Sequence, residues 1–184
     1  MERWDQYFFN VAKVVAENSR CFSRKIGVVV VKDNRYIIST GYNGPSANFP
    51  NPGTKGFSDI VLNIVKPELK KRNITLVTYT DTIITTCPRK ILGFASGEGV
   101  EFCPCAHAEG NAVASAARLG HPTKDCSLYL NVAIPCLNCA YAIVNAGIKE
   151  VIVTEIKAYE KEGFTGLQIL QHSGVTIRTY TENK

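Results

Sequence analysis

HAEGNAVASAARLGHPTKDCSLYLNVAIPCLNC, residues 107–139, reads as a helix, a strand and the opening of a second helix. Ala108 to Leu119 is rich in alanine, the strongest helix former, and Gly120 and Pro122 stop it. Ser127 to Val132 is a short apolar run suited to a strand, and Cys136 to Ala146 is helical again until Gly147. Outward from this stretch the alternation continues. Lys149 to Thr154 reads as a strand, 164–172 as a helix stopped by Gly174, and Val175 to Tyr180 as a last strand. Strands alternating with helices in this way predict an α/β sandwich whose second half is parallel.

Toward the N-terminus the pattern changes. Residues 4–18 have helical periodicity, with Tyr7, Phe8, Val11, Val14 and Val15 on one side. Ile26 to Val31 is continuous and β-branched. The turn signal Asp33-Asn34 and the run Tyr36 to Thr40 follow, which predicts an antiparallel hairpin. Gly41 to Gly56 holds four Gly and three Pro and reads as loop. Within 58–102 the sequence suggests a helix near 59–71, a strand near 74–79 and a glycine-rich loop through Gly93, Gly97 and Gly99, a stretch without an obvious core of its own. It reads as an insertion carried by a single domain spanning 1–184, without internal repeats.

Composition fits a globular chain. Of 184 residues 45% are apolar and 20% charged, enough for one substantial core and no sign of wholesale disorder. The net charge of +5 favours an anionic small molecule, but it is spread along the chain and forms no basic and aromatic platform, which argues against a nucleic-acid partner. Lys70, Lys71 and Arg72 follow the expected helix and read as a solvated face. Residues 1–7 mix acids with aromatics, unlike a signal peptide, and apolar runs such as Ile26 to Val31 are too short to cross a bilayer. The expectation is a cytoplasmic protein with no membrane partner. Seven cysteines, an odd number, cluster as Cys103 with Cys105 and Cys136 with Cys139, which favours metal over disulfides.

His107-Ala108-Glu109 opens one expected helix and Pro135-Cys136-Leu137-Asn138-Cys139 opens the next. Cysteines at i and i+3 project from one side of a first turn, so both sulfurs reach one ion, and the helix N-terminus favours the thiolates that zinc requires. With His107 they make three ligands. Tetrahedral zinc then keeps a fourth position for water, whose pKa it lowers to roughly 7, which marks a catalytic site. Glu109, two residues from a ligand, is placed to move protons. A lone C-x-x-C is equally a redox pair or half of a structural zinc site, and a lone H-x-E means little. In this order, each at a helix start with a strand between, they carry the zinc deaminase signature.

The likeness extends beyond that signature. Ser19 to Val31, Ile38 to Gly44 with its Gly41-Tyr42-Asn43-Gly44 loop, His107 to Ala112, and Pro135 to Cys139 resemble the deoxycytidylate deaminase family, within the cytidine deaminase superfamily. The resemblance covers residues 4–47 and 103–180. It implies a three-layer α/β/α sandwich around a mixed five-stranded sheet, and a hydrolase acting on the C–N bond of a cyclic amidine. The implied reaction is dCMP to dUMP for thymidylate synthesis, in a homo-oligomer, commonly a hexamer, activated by dCTP and inhibited by dTTP.

Residue by residue, Asn43 would meet the deoxyribose 3′-hydroxyl, and Ala108 and Ile134 would offer backbone groups to the cytosine edge. Arg24 would meet the 5′-phosphate with its planar fork, or be a surface cation beside Lys25. Tyr159 would wall the base or make an ordinary aromatic contact. Cys21, Cys87, Cys103 and Cys105 would hold a second, structural zinc of the kind some members carry, or be buried free thiols, and Cys126 reads as core. Two features depart from the family: Asn43-Gly44 is followed directly by Pro45, and Ile134 stands where a polar residue or leucine is common. The rival readings are another cytosine substrate (cytidine, dCTP or a modified dCMP), a tRNA or DNA editor, and a catalytically silent zinc scaffold, which would have no use for Glu109.

Overall fold

The computed structural model describes residues 2–74, 83–95, 97–158, 160 and 162–180. The chain packs as two compact units, one made of residues 1–19, 25–43 and 107–184, the other of 20–24 and 44–106.

In the first unit, β1 (Gly27–Lys32) lies between β2 (Tyr36–Tyr42) and β5 (Ser127–Leu130), antiparallel to both. From β5 the sheet continues in parallel through β6 (Glu150–Val153) and β7 (Thr176–Thr179), giving the order β2-β1-β5-β6-β7. Asp33 and Asn34 sit at φ of 53° and 52°, the paired left-handed conformation that suits a tight hairpin. The continuous run Val28 to Val31 is wholly buried because both faces of its strand are covered. Val28 and Val30 join Leu128, Leu130, Val151 and Val153 against three helices, α4 (Ala108–Arg118), α5 (Leu137–Asn145) and α6 (Gly166–His172). Val29 and Val31 join Tyr129 and Ile152 against Phe8, Phe9 and Ala12 of α1 (Glu2–Glu17). The twofold alternation of the strands thus sorts one hydrophobic set into two cores, and the three-layer sandwich follows. The expected helix and strand boundaries here hold within two residues.

The second unit has a core of its own. Helix α2 (Lys55–Lys71) starts at Thr54, whose side chain caps Phe57 N–H, and buries Phe57, Val61, Val65 and Leu69 with Ile84 and Leu92. Phe94 and Phe102 stack at 5.6 Å and pack on this cluster, so the glycine-rich stretch is anchored by aromatic rings that sequence reading overlooked. The remaining elements are a short helix α3 (Pro88–Ile91), a 3-10 turn at Val100–Phe102, and a two-residue ladder of β3 (Gly44–Pro45) with β4 (Cys105–Ala106). Gly41 to Gly56, expected as loop, therefore contributes the end of β2, β3 and the first turn of α2. The glycines and prolines hid the Thr54 cap. The unit is wider than the 58–102 insertion expected, and the strand expected near 74–79 lies almost wholly outside the described residues. No described helix is long and apolar enough to cross a membrane.

On the α1 side of the sheet, Asp5 is only 6% exposed and accepts two bonds from the Arg178 guanidinium, at 2.6 and 2.8 Å, and one from the Tyr129 hydroxyl at 2.7 Å. Arg178 also donates to Glu150 at 2.8 Å. Burial works against the Asp5 carboxylate, but the bonds from Arg178 and Tyr129 outweigh it and hold its pKa below the ordinary aspartate value. A group whose pKa is lower folded than unfolded adds stability above its unfolded pKa, about 4, and that stability is lost as pH falls through the folded value. Asp5→Asn should therefore cost roughly 1.5–3 kcal/mol at pH 7, read from urea unfolding. The gap to the native protein should narrow as pH falls below about 4. A gap independent of pH would show that the charge of Asp5 plays no part.

Candidate active site

The N-termini of two helices meet in the first unit. His107 is the N-cap of α4 and Cys136 the N-cap of α5, both with extended backbone (φ −80° and −67°) and neither capping its own helix with its side chain. Their side chains turn to each other instead. His107 Nδ1 lies 3.3 Å from Cys136 Sγ and 3.4 Å from Cys139 Sγ, and the three donor atoms fall within 4.8 Å of one another. Among the described residues this is the one compact group of three metal-binding side chains so close together. Two helix N-termini place partial positive charge at this point, which favours thiolates. The Cys136 thiol is pushed well down by its contacts with Cys139 and His107 against the opposing effect of burial.

Helix α4 is held in place from β2. A Cβ on Gly41 would stand 2.3 Å from the carbonyl oxygen of Ala108 and 2.4 Å from Ala112 N, so the strand passes the helix at a separation only glycine permits. Ser39 Oγ donates to the Ala112 carbonyl at 2.9 Å, and Asn111 Nδ2 to the Tyr42 carbonyl at 2.8 Å. This seam fixes the first turn of α4, and with it His107 and Glu109.

Glu109 is 5% exposed, and its Oε2 has no hydrogen-bond partner among the described residues. Burial is the largest influence on it and raises its pKa above the ordinary carboxylate range, while its other contacts include Cys139. A buried carboxylate oxygen without a partner is costly to the fold, and its position beside three metal donors gives it a chemical reason to persist. Two thiolates and an imidazole are the donors that suit a tetrahedral zinc with one open position, so the residues fit the ion.

The family profile of the cytidine and deoxycytidylate deaminase zinc-binding region matches residues 2–155, the stretch that contains all three donors. The chain belongs to this family. Among its relatives are deoxycytidylate deaminases of Saccharomyces cerevisiae, 29% identical over 97% of this chain, and of Enterobacteria phage T2, 30% identical over 91% of this chain and 87% of its own length. That of Mus musculus is 30% identical over 97% of this chain and 80% of its own length. The chain spans 45% of the length of the S. cerevisiae relative and 44% of that from Schizosaccharomyces pombe. The fold is that of the dCMP deaminase from cyanophage S-TIM5 in complex with dCMP and dUMP, with a TM-score of 0.63, 19% identity and 98% of both chains covered.

Of the residues singled out in the sequence, His107, Glu109, Cys136 and Cys139 converge. Ala108 and Ile134 are buried in the same unit. Asn43 is also buried there, its Oδ1 accepting from Ile26 N–H at 2.9 Å with Ser19 Oγ at 2.6 Å. Arg24 is exposed and lies in the second unit, and Tyr159 falls outside the described residues. The four remaining motif cysteines form a separate group within the second unit, where Cys21 meets Cys105, Cys105 meets Cys103, and Cys103 meets Cys87. Cys126 is buried in the core, as expected. Sequence reading placed Ser19 in a family-like stretch but missed its bond to Asn43, and it missed Glu160, which stands in a loop rich in charge.

Proposed function

We propose that this chain is a zinc-dependent hydrolase that converts dCMP and water to dUMP and ammonia. The observation that carries this reading is the Glu109 carboxylate, buried, with one oxygen unpartnered, beside a His-Cys-Cys donor set. His107, Cys136 and Cys139 would hold the ion, which as a Lewis acid makes water a competent nucleophile at neutral pH. Glu109 accepts the proton that water releases as its oxygen bonds to C4 of the cytosine ring, and delivers it to N3. The same carboxylate then takes the proton of the new C4 hydroxyl and passes it to the exocyclic nitrogen as the C4 carbonyl forms. The C4–N4 bond then breaks with its electron pair leaving on ammonia. A carboxylate with a raised pKa suits a group that must both take and return protons.

The choice of dCMP is supported by the deoxycytidylate deaminases among the relatives and by the S-TIM5 fold. On this reading Asn43 meets the deoxyribose 3′-hydroxyl. Its Oδ1 already accepts from Ile26, so the amide is oriented before substrate arrives. Ala108 and Ile134 offer backbone groups to the base, and Arg24 binds the 5′-phosphate. The same proposal includes a cytoplasmic homo-oligomer, hexameric as is common in the family, with dCTP as activator and dTTP as inhibitor.

Steady-state rates on dCMP, dCTP, deoxycytidine and cytidine, with and without added dCTP or dTTP, test it. dCMP should be the best substrate, and Arg24→Ala should lower kcat/KM for dCMP by roughly 10–150-fold while sparing deoxycytidine, since only dCMP offers the phosphate. Equal losses on both would make Arg24 a structural residue, and a preference for cytidine would overturn the choice of substrate.

The contacts running from Cys21 through Cys105 and Cys103 to Cys87 support a second zinc in the second unit, a thiolate-rich set of the kind that takes tetrahedral structural zinc. Elemental analysis of protein purified without chelators should find two zinc ions per chain. A Cys87→Ser, Cys103→Ser double variant should keep one and melt at lower temperature. One zinc in both proteins, with unchanged melting, would make these cysteines ordinary buried thiols.

A further inference from the structure

The turn that carries Cys136 and Cys139 has a difficulty built into its sequence. The first residues of any α-helix expose N–H groups without partners inside the helix, and an N-cap side-chain oxygen ordinarily takes one of them. Here the N-cap is Cys136, which brings no oxygen and whose sulfur faces His107. A turn whose cap residue is committed to metal needs an acceptor from elsewhere.

Glu160 supplies it. The loop after β6 brings its carboxylate to the start of α5, where Oε1 accepts from Leu137 N–H at 2.6 Å. Leu137 stands between the two cysteine ligands. The other oxygen, Oε2, accepts from Gly166 N–H, the first residue of α6, at 3.4 Å. Gly166 itself is pressed on the same turn: a Cβ there would stand 2.1 Å from the Pro135 carbonyl oxygen and 2.9 Å from the Cys136 carbonyl carbon. One carboxylate therefore joins two helix N-termini around the Pro135–Cys139 turn, and α6 closes over it without room for a side chain.

We propose that Glu160 is a positioning residue of the zinc site, fixing the backbone from which Cys136 and Cys139 reach the ion. Its carboxylate bonds to backbone N–H groups rather than to any of the three metal donors, and it takes no part in the chemistry of the base. The role rests on the zinc site and is independent of which cytosine compound is the substrate. Groups that orient zinc ligands without touching the ion change metal retention by roughly 10–100-fold when removed.

The test is the rate at which zinc leaves the purified holoenzyme for a coloured chelator, 4-(2-pyridylazo)resorcinol. The ion belonging to this site is identified as the phase missing from His107→Ala. Glu160→Ala and Glu160→Asp, the latter too short to bridge both helices, should release that ion roughly 10–100-fold faster. Glu160→Gln keeps an oxygen for Leu137 N–H and should stay near the native rate. Glu162→Ala, an exposed neighbour in the same loop, should not change it. If Glu160→Ala does not fold, the Asp and Gln pair decides the matter, since both keep a polar side chain. Native release from Glu160→Asp, or equal acceleration in Glu160→Gln and Glu162→Ala, would overturn the role. A native protein with no phase that depends on His107 would overturn the zinc site and this role with it.

Discussion

Everything chemical in the first unit depends on two helices beginning at the same place. An α-helix ends in unpaired N–H groups and a partial positive charge at its N-terminus. One such end stabilises a thiolate modestly. Two ends sharing a point can hold an imidazole and two sulfurs within 4.8 Å, with a carboxylate in the first turn of one helix. The cost is that both N-cap positions, His107 and Cys136, are spent on the metal, so neither caps its own helix.

The fold meets that cost by bracing each helix from outside. On α4 the brace is β2, where Gly41 lets the backbones approach and Ser39 and Asn111 bond across the seam. On α5 it is the Glu160 loop and the N-terminus of α6. The opposite face of the sheet is pinned by a charged cluster that joins α1, β6 and β7 through Asp5, Glu150 and Arg178. Braces on both faces of the sheet thus flank the strands that lead into the site, where the buried Glu109 keeps an oxygen unpartnered among the described residues.

Much of this was legible in the residues. The alternation of helix and strand from Ala108 onward has clear stops at Gly120, Gly147 and Gly174, each with positive φ in the structure, so the parallel half of the sheet could be read directly. His107, Glu109, Cys136 and Cys139 were legible because their spacing is a chemical requirement. Long-range polar contacts were not. Glu160 reaches a backbone N–H 23 residues away, and Ser19 meets an amide 24 residues away, and neither leaves a periodic trace. The second unit was legible only in part. The helix expected near 59–71 is there as α2, but the rings that pack on its core, Phe22, Phe49, Phe94 and Phe102, are scattered along the chain with no period to connect them.

The central claim is a division of labour: three side chains hold the ion and one carboxylate moves the protons. It is tested most directly in Glu109→Gln, a change that keeps size and removes the exchangeable carboxylate. Zinc content and the single-turnover rate on dCMP should be measured on the same preparation. The account predicts zinc equal to the native protein and a rate lower by at least ~10²–10⁴-fold. A near-native rate with full zinc would contradict it.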